Sequence, residues 1–220
     1  MQITKLSDDD FRENDKENLS RITKIAPAVK TPGRYNIFVN EKFAFSLDEI
    51  QLANSRLKKG DEISAEKLNE LKNDSDFGKN YVRAVDLISR RKRSEKEIRD
   101  YAFRKNWTKE NTEKVVARLY EKNYLDDENF AKSFVRSRAN LRNFSRRKMD
   151  LELMRCGIAK DIREKVLAEN EDFDELNSLK NLIAKKRNHY ENNQKFIAYL
   201  ACQGFDYDKI KAMLNEEENA

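Results

Sequence analysis

The 220-residue chain is 39% charged and 38% hydrophobic, and it has only 5 Gly and 2 Pro. This composition favours long helices with solvated faces and argues against a compact enzyme core, which needs more apolar area per residue. With two Cys and one His, it also excludes a zinc site built from Cys and His alone. We expect Cys156 and Cys202 to be buried free thiols. The chain shows no membrane-spanning apolar run and no signal peptide, so we expect a cytoplasmic protein.

Positive charge is concentrated in the middle of the chain. Residues 79–155 contain 22 Lys/Arg and 12 Asp/Glu, a net charge of +10, whereas residues 1–78 carry −2 and residues 156–220 carry −3. A basic block between mildly acidic flanks is typical of a protein that contacts a polyanion.

The first part of the chain predicts a disordered tail over residues 1–20 and a small β-rich module over residues 21–76. Two runs with period-two alternation, around Tyr35–Val39 and Phe43–Leu47, predict a β-hairpin whose turn is Asn40-Glu41-Lys42, and residues 22–25 can add a third strand. Asp48 is expected to be the N-cap of a helix that ends at Gly60. Ser64 is expected to cap a second, short helix through Leu71.

From about residue 77 the pattern becomes helical and repeats. It predicts three tandem three-helix repeats over residues 77–126, 127–172 and 173–220, stacked as an elongated curved array. The second helices align on shared apolar anchors, which are Ile98, Ala102 and Trp107, then Met149, Leu153 and Ile158, then Phe196, Leu200 and Phe205. We expect these repeats to fold without residues 1–75.

Helix ends support this division. Each second helix is followed, just before its last anchor, by a residue suited to a left-handed C-terminal cap: Asn106, Gly157 and Gly204. Ser94-Glu95-Lys96-Glu97 has the spacing of a capping box. Asp126 or Asp127 is expected to cap the first helix of repeat 2, and Asp206 or Asp208 the last helix.

Two arginine-rich sets predict the binding surface, and each is expected at or near the turn between the first and second helices of a repeat. A guanidinium group presents a planar donor fork with a permanent charge, which suits phosphate. The candidate residues are Arg90, Arg91, Lys92, Arg93, Arg136, Arg138, Arg142, Arg146, Arg147 and Lys148. Six arginines are expected to share one concave side: Arg90, Arg91, Arg136, Arg138, Arg146 and Arg147. We expect Lys185, Lys186 and Arg187 of repeat 3 to contact a partner protein. The alternative is an ordinary solvated face.

No pattern indicates catalysis or a cofactor. The chain has no Walker loop, dinucleotide glycine pattern, nucleophile elbow or metalloprotease motif, so we expect no enzymatic activity, no cofactor and no metal. Adjacent Asp126 and Asp127 favour helix capping over metal binding. Trp107 and Phe205 are interpreted as core anchors rather than stacking platforms, because their repeat equivalent is Ile158. Tyr81 and Phe144 flank basic residues and are candidate surface contacts.

One run of residues around the start of repeat 2 carries a specific resemblance. The run Tyr124-Leu125-Asp126-Asp127-Glu128-Asn129-Phe130-Ala131, followed by Val135-Arg136-Ser137-Arg138, is similar to the central signature of the RecX family of regulatory proteins. Leu87-Ile88-Ser89-Arg90-Arg91 with Ser94–Ile98, then Cys156-Gly157-Ile158 and Phe196–Phe205, resemble its other repeat motifs in the same order. The likeness covers about residues 80–215. Two departures are a glycine-free Arg142–Arg147 stretch and Asn106-Trp107 in place of Gly-Phe.

The resemblance implies tandem three-helix repeats and a regulatory, non-enzymatic role. It implies binding to the RecA recombinase–DNA filament and modulation, usually inhibition, of strand exchange and ATP hydrolysis. The expected partners are therefore RecA and DNA, the latter through sequence-independent phosphate contacts, with the chain as a monomer and no membrane involved. A stand-alone sequence-independent DNA-binding protein is the alternative. The mixed or acidic starts of the third helices argue against sequence-specific reading.

Overall fold

The computed structural model describes residues 19–169 and 174–218, and within these ranges it leaves the side chains of residues 139–142 and 217–218 undescribed. The tail predicted over residues 1–20 lies almost entirely outside the described residues, as does the predicted repeat boundary at 172/173. The described chain forms two compact units, residues 19–86 with 107–115, and residues 87–106 with 116–169 and 174–218.

The amino-terminal module contains an antiparallel sheet of four strands in the order β3-β2-β1-β4. The strands are β1 (Ser20–Pro27), β2 (Arg34–Val39), β3 (Lys42–Asp48) and β4 (Glu62–Ile63). The predicted hairpin and third strand are confirmed, whereas β4 was not predicted. The turn is only two residues long, because Asn40 and Glu41 both have positive φ (47° and 67°) while Lys42 already pairs with Val39.

Two helices follow the hairpin. Asp48 caps α1 (Glu49–Ser55) within a capping box, as predicted. The expected end at Gly60 is wrong, because Arg56 adopts the left-handed conformation and ends α1 there.

The expected short helix through Leu71 is instead the start of one continuous helix, α2 (Ala65–Arg90), and the predicted boundary at 76/77 falls inside it. Asn73, Asp74 and Ser75 are weak helix formers, but contacts with the sheet module compensate for this. Leu71 and Gly78 are buried, and the Ser75 hydroxyl donates to the carbonyl of Ser46 at 2.6 Å.

The remaining described chain consists of eight α-helices and one short 3₁₀ turn. They are α3 (Glu95–Arg104), α4 (Lys109–Glu121), α5 (Asp127–Arg142), α6 (Arg146–Arg155), α7 (Lys160–Glu169), α8 (Glu175–Lys186), the 3₁₀ turn (Arg187–His189), α9 (Asn193–Cys202) and α10 (Tyr207–Glu218). Helices α5 to α7 share one apolar cluster and α8 to α10 share another. The predicted class, mainly helical with three-helix repeats and a small β-rich module, is confirmed.

The predicted anchors and caps are mostly where the sequence places them. Apart from half-buried Trp107, every anchor is at most 4% exposed. Asn106, Gly157 and Gly204 have φ values of 55°, 82° and 91°, which confirms the predicted left-handed caps. Asp126 accepts from the Asn129 amide at 2.8 Å and is the cap of α5.

The two cysteines are free thiols, as expected, but the prediction that both are buried is wrong. Cys156 is half-buried, and Cys202 is exposed. Cys202 is the last residue of α9, at the repeat position taken by exposed Arg104 and Arg155, so it lies on the solvated side of its helix. None of the helices in the described ranges has the length and apolar character that a membrane span requires.

Candidate nucleic-acid interface

A hydrogen-bonded junction, formed twice with the same geometry, connects successive repeats near their basic turns. The hydroxyl of Ser94, at the start of α3, donates to the carbonyl of Cys156 at 2.7 Å. One repeat later, the hydroxyl of Ser145, at the start of α6, donates to the carbonyl of Gln203 at 2.7 Å. Both serines are fully buried, and each also caps its own helix by accepting from the amide three residues later.

A carboxylate completes each junction. Asp127 accepts from the Glu95 amide at 2.9 Å, and Glu175 accepts from the Arg146 amide at 2.9 Å. Each acceptor is the first residue of the next repeat's first helix, and each donor is the first residue of a second helix. Asp127 therefore serves the junction while Asp126 caps, and burial raises the pKa of the Asp127 carboxyl above its ordinary value.

The first basic set is largely occupied by contacts within the protein. Arg91 makes a two-pronged ion pair with Glu97, with nitrogen–oxygen distances of 2.9 and 2.6 Å. Hydrogen bonding to Glu97 raises the pKa of Arg91. Arg93 is half-buried, lies 3.9 Å from the same carboxylate and donates to the Leu87 carbonyl, and burial lowers its pKa. These side chains hold the turn after α2.

Lys92 connects repeats 1 and 2. Its ammonium group donates to Asn129 Oδ1 at 2.6 Å and to Ser133 Oγ at 2.8 Å, both on α5. Arg90 is the last residue of α2 and is exposed. Arg91, Lys92 and Arg93 of repeat 1 are therefore all engaged in contacts within the protein, although Arg91 and Lys92 are exposed.

Helix α5 carries three of the predicted arginines, and two of them lie away from the turn. Arg136 is exposed, with no hydrogen-bond or ion-pair partner among the residues that the structure describes. Arg138 places its guanidinium 4.9 Å from the centre of the Phe134 ring. Arg142 ends α5, and its side chain lies outside the described residues.

The beginning of α6 presents the most available charge. Arg146 and Arg147 are exposed, and within the described ranges neither side chain has a hydrogen-bond or ion-pair partner. Lys148 is occupied, because it donates to Gln203 Oε1 and lies 4.6 Å from the centre of the Phe144 ring. Cations at a helix N-terminus oppose the helix dipole. Helix stability therefore does not explain this cluster, and α6 has no acidic residue in its first turn.

Repeat 3 offers a smaller basic cluster at the matching position. Lys185 is exposed at the end of α8, and Lys186 is half-buried. Arg187 packs against the Phe196 ring at 5.6 Å and donates weakly to the Tyr190 carbonyl at 3.4 Å. Among the described residues, no cluster of three His, Cys, Asp or Glu side chains is arranged to hold a metal ion.

Comparisons with known proteins identify the family. Three family models match in chain order: the regulatory protein RecX N-terminal domain over residues 20–64, the RecX first three-helix domain over 81–119 and the RecX second three-helix domain over 126–167. The regulatory protein RecX of Bacillus velezensis is 34% identical over 203 residues, which cover 90% of this chain and 77% of the relative. The chain belongs to the RecX family.

Other RecX proteins agree with this assignment. The regulatory protein RecX of Lactobacillus gasseri is 33% identical, covering 89% of this chain and 74% of the relative. A crystal structure of regulatory protein RecX has a TM-score of 0.70 at 26% identity and covers 88% of this chain and 100% of that one. The crystal structure of RecX from Lactobacillus salivarius, at 24% identity, shares the fold with a TM-score of 0.56 over 66% of this chain.

The sequence did not reveal which residues bind the basic side chains and so make them unavailable to a partner. Glu97 was assigned only to helix capping, yet it also binds Arg91. Asn129, Ser133 and Gln203 carry no charge and lie far along the chain from the lysines that they bind. One signal was present in the sequence, because a serine precedes both Glu95 and Arg146 at the start of a second helix, and both serines form junctions.

Proposed function

We propose that this protein binds the RecA recombinase–DNA filament and inhibits its recombinase and ATPase activities. Membership of a family of regulatory proteins supports a regulatory role. The observation that carries the proposal is the pair of unpartnered arginines, Arg146 and Arg147, at a helix start where their charge opposes the helix dipole. A phosphate beside them would give the two guanidinium groups an anionic partner.

The side-chain contacts narrow the proposed binding surface to fewer cations than the sequence alone indicates. Arg136, Arg146 and Arg147 are assigned to DNA phosphate, with Arg90, Arg138 and Arg142 as further members of the surface, and Lys185 to the recombinase. Arg91, Lys92, Arg93, Lys148 and Arg187 act mainly by holding the turns in place. We propose that the protein works as a cytoplasmic monomer, with no cofactor and no chemistry of its own.

The test is ATP hydrolysis by the recombinase on single-stranded DNA, measured with and without this protein. Added protein should lower the steady-state hydrolysis rate in proportion to the amount bound. The Arg146→Ala/Arg147→Ala variant should inhibit much less. A Lys58→Ala/Lys59→Ala variant removes the same charge from an exposed loop of the amino-terminal module and should inhibit like the unmodified protein. An unchanged hydrolysis rate at saturating protein would reject inhibition.

A second candidate function is sequence-independent binding to DNA without a recombinase, and the same pair of arginines on α6 favours it. The two functions differ in their requirement for the filament. If the protein binds bare duplex as tightly as it binds the filament, and leaves hydrolysis unchanged, the second function is the correct one.

A further inference from the structure

A groove lies between repeats 2 and 3, and its lining includes Phe144, Lys185 and Lys186, which the sequence pattern indicated separately as candidate contacts. Its cavity volume is about 360 Å³, within the range of about 300–1,000 Å³ that is typical of small-molecule sites. The polar and aromatic residues that line it are Asn143, Phe144, Lys185, Lys186, Tyr199 and Gln203.

The groove borders a cluster of three aromatic rings, each of which contacts the other two. Tyr190 lies 5.1 Å from Phe196 and 5.3 Å from Tyr199, measured between ring centres, and the rings of Tyr190 and Tyr199 are within 29° of parallel. Tyr199 lines the groove, so a flat ring bound there lies beside this cluster. Phe144 forms another wall, and the Lys148 ammonium already lies against its ring.

The charge of the groove is positive. Two of its lining side chains are lysines, and none of the described residues that line it is acidic. The amide groups of Asn143 and Gln203 add hydrogen-bonding groups to the lining. The Gln203 amide is oriented by Lys148, which donates to its oxygen. An aromatic ring, amides and cations together are what a nucleotide requires, since its base stacks and its phosphate is anionic.

The equivalent groove between repeats 1 and 2 shows which features are specific. It is lined by Arg91, Lys92 and Arg138, but also by the carboxylates Glu97 and Glu152. Arg138 already lies against the Phe134 ring there, and Arg91 is paired with Glu97. The first groove therefore sets three cations against two carboxylates, whereas the second has two lysines and no carboxylate among its described lining residues.

We propose that the groove between repeats 2 and 3 binds one unpaired nucleotide of single-stranded DNA, with its base against Tyr199 and its phosphate beside Lys185 and Lys186. This inference rests on the proposed function, because the single-stranded DNA would come from the recombinase–DNA filament. It adds recognition of a base ring to the sequence-independent phosphate contacts, and it assigns the two lysines to DNA rather than to the recombinase.

The test compares two oligonucleotides of about 12 residues, within the usual span of single-strand binding sites, by fluorescence anisotropy without recombinase. One is oligo(dT), and the other has the same phosphates but abasic sugars. The unmodified protein should bind oligo(dT) about 5- to 150-fold more tightly, which is the range for one stacked base. Tyr199→Leu should abolish this preference and Tyr199→Phe should keep it.

Tyr207→Leu is the matched control, because Tyr207 is exposed on α10 in the same repeat and does not line the groove. It should leave the preference unchanged. Equal binding of both oligonucleotides by the unmodified protein overturns the proposal without needing any variant. The proposal is also wrong if a polyglutamate peptide competes with oligo(dT) as effectively as unlabelled oligo(dT) does. In either case, inhibition of the recombinase can still occur, so the two proposals fail separately.

Discussion

At the scale of single residues, Ser145 uses one hydroxyl for two hydrogen bonds. It accepts from the Lys148 amide at 3.1 Å and donates to the Gln203 carbonyl at 2.7 Å. Ser145→Ala removes the cap and leaves a part-buried carbonyl without that donor, so the free energy of unfolding should fall by about 2–3 kcal/mol. Urea denaturation followed by circular dichroism measures this.

Asn192 provides the matched control for the cap alone. It begins the second helix of repeat 3, is exposed, and accepts from the Gln194 and Lys195 amides. Asn192→Ala should cost only about 1 kcal/mol. Equal losses in the two variants would mean that the bond to Gln203 contributes nothing.

Gly204 combines backbone strain with a close approach. Its φ is 91°, and a Cβ atom placed on it would lie 2.5 Å from the Ser145 hydroxyl. Gly60 has a similar φ of 98° with nothing within 4 Å of such an atom. Gly60→Ala should therefore cost about 1 kcal/mol for the backbone alone, and Gly204→Ala about 1–3 kcal/mol more. Thermal unfolding of the two variants separates these effects, and equal shifts would contradict a tight junction.

At the scale of elements, the first turn of α5 carries a carboxylate whose contact matters more than its charge. Asp127→Asn keeps the oxygen that accepts from Glu95, so at neutral pH it should change stability by less than about 0.5 kcal/mol, while Asp127→Ala should cost about 1–2 kcal/mol. Urea denaturation at neutral pH checks both values.

The pH dependence of Asp127 follows from its raised pKa. Because the folded state holds this proton more strongly, the carboxyl favours folding fully only below its unfolded pKa of about 3.9 and loses that contribution as pH rises through the folded value. Any stability advantage of the Asp127→Asn variant over the unmodified protein should therefore shrink as pH falls to about 3.5. An advantage that grows on acidification would contradict the burial of Asp127.

The start of α6 is the element on which the phosphate proposal depends. Arg146→Ala/Arg147→Ala should weaken filament binding by about 1–3 kcal/mol, and the slope of its salt dependence should fall by about one unit for each phosphate that the variant no longer neutralises. Binding measured across a salt series checks both, with Lys58→Ala/Lys59→Ala as the control of equal charge. Unchanged affinity and salt slope in a folded variant would make this cluster a solvated face.

Local signals predicted the elements better than they predicted the site. Capping residues such as Ser94 and Asp126 act within three residues, so their helix starts were readable. The continuity of α2 could not be predicted in this way, because the contact between Ser75 and Ser46 that supports it joins residues 29 positions apart. The same holds for Lys92, whose partners lie 37 and 41 residues away, so its charge looked available when it is occupied.

At the scale of the whole molecule, repeats 2 and 3 each have an apolar cluster of their own. A fragment that begins at Ser64 keeps α2 intact and should unfold cooperatively with a helical spectrum. A fragment that begins at residue 77 cuts α2 within its length and should be less stable. Thermal unfolding by circular dichroism compares them, and a non-cooperative transition in the longer fragment would show that the repeats require the sheet module.

The serine junction makes the series of repeats directional. A repeat offers a hydroxyl at the start of its second helix and a carbonyl just before its glycine, and in both junctions the hydroxyl goes to the following repeat. In repeat 1 the glycine position is Asn106, and in repeat 3 the serine position is Asn192, whose side-chain oxygen serves its own helix. Placing repeat 3 directly before repeat 1 would therefore put Asn192 in the place of the serine, and the Cβ of Asn106 in the space that a glycine leaves open for the hydroxyl. The order of the repeats thus matches the hydrogen-bonding groups at their ends. Versions of this chain with shuffled repeats should be less stable wherever Asn192 meets Asn106.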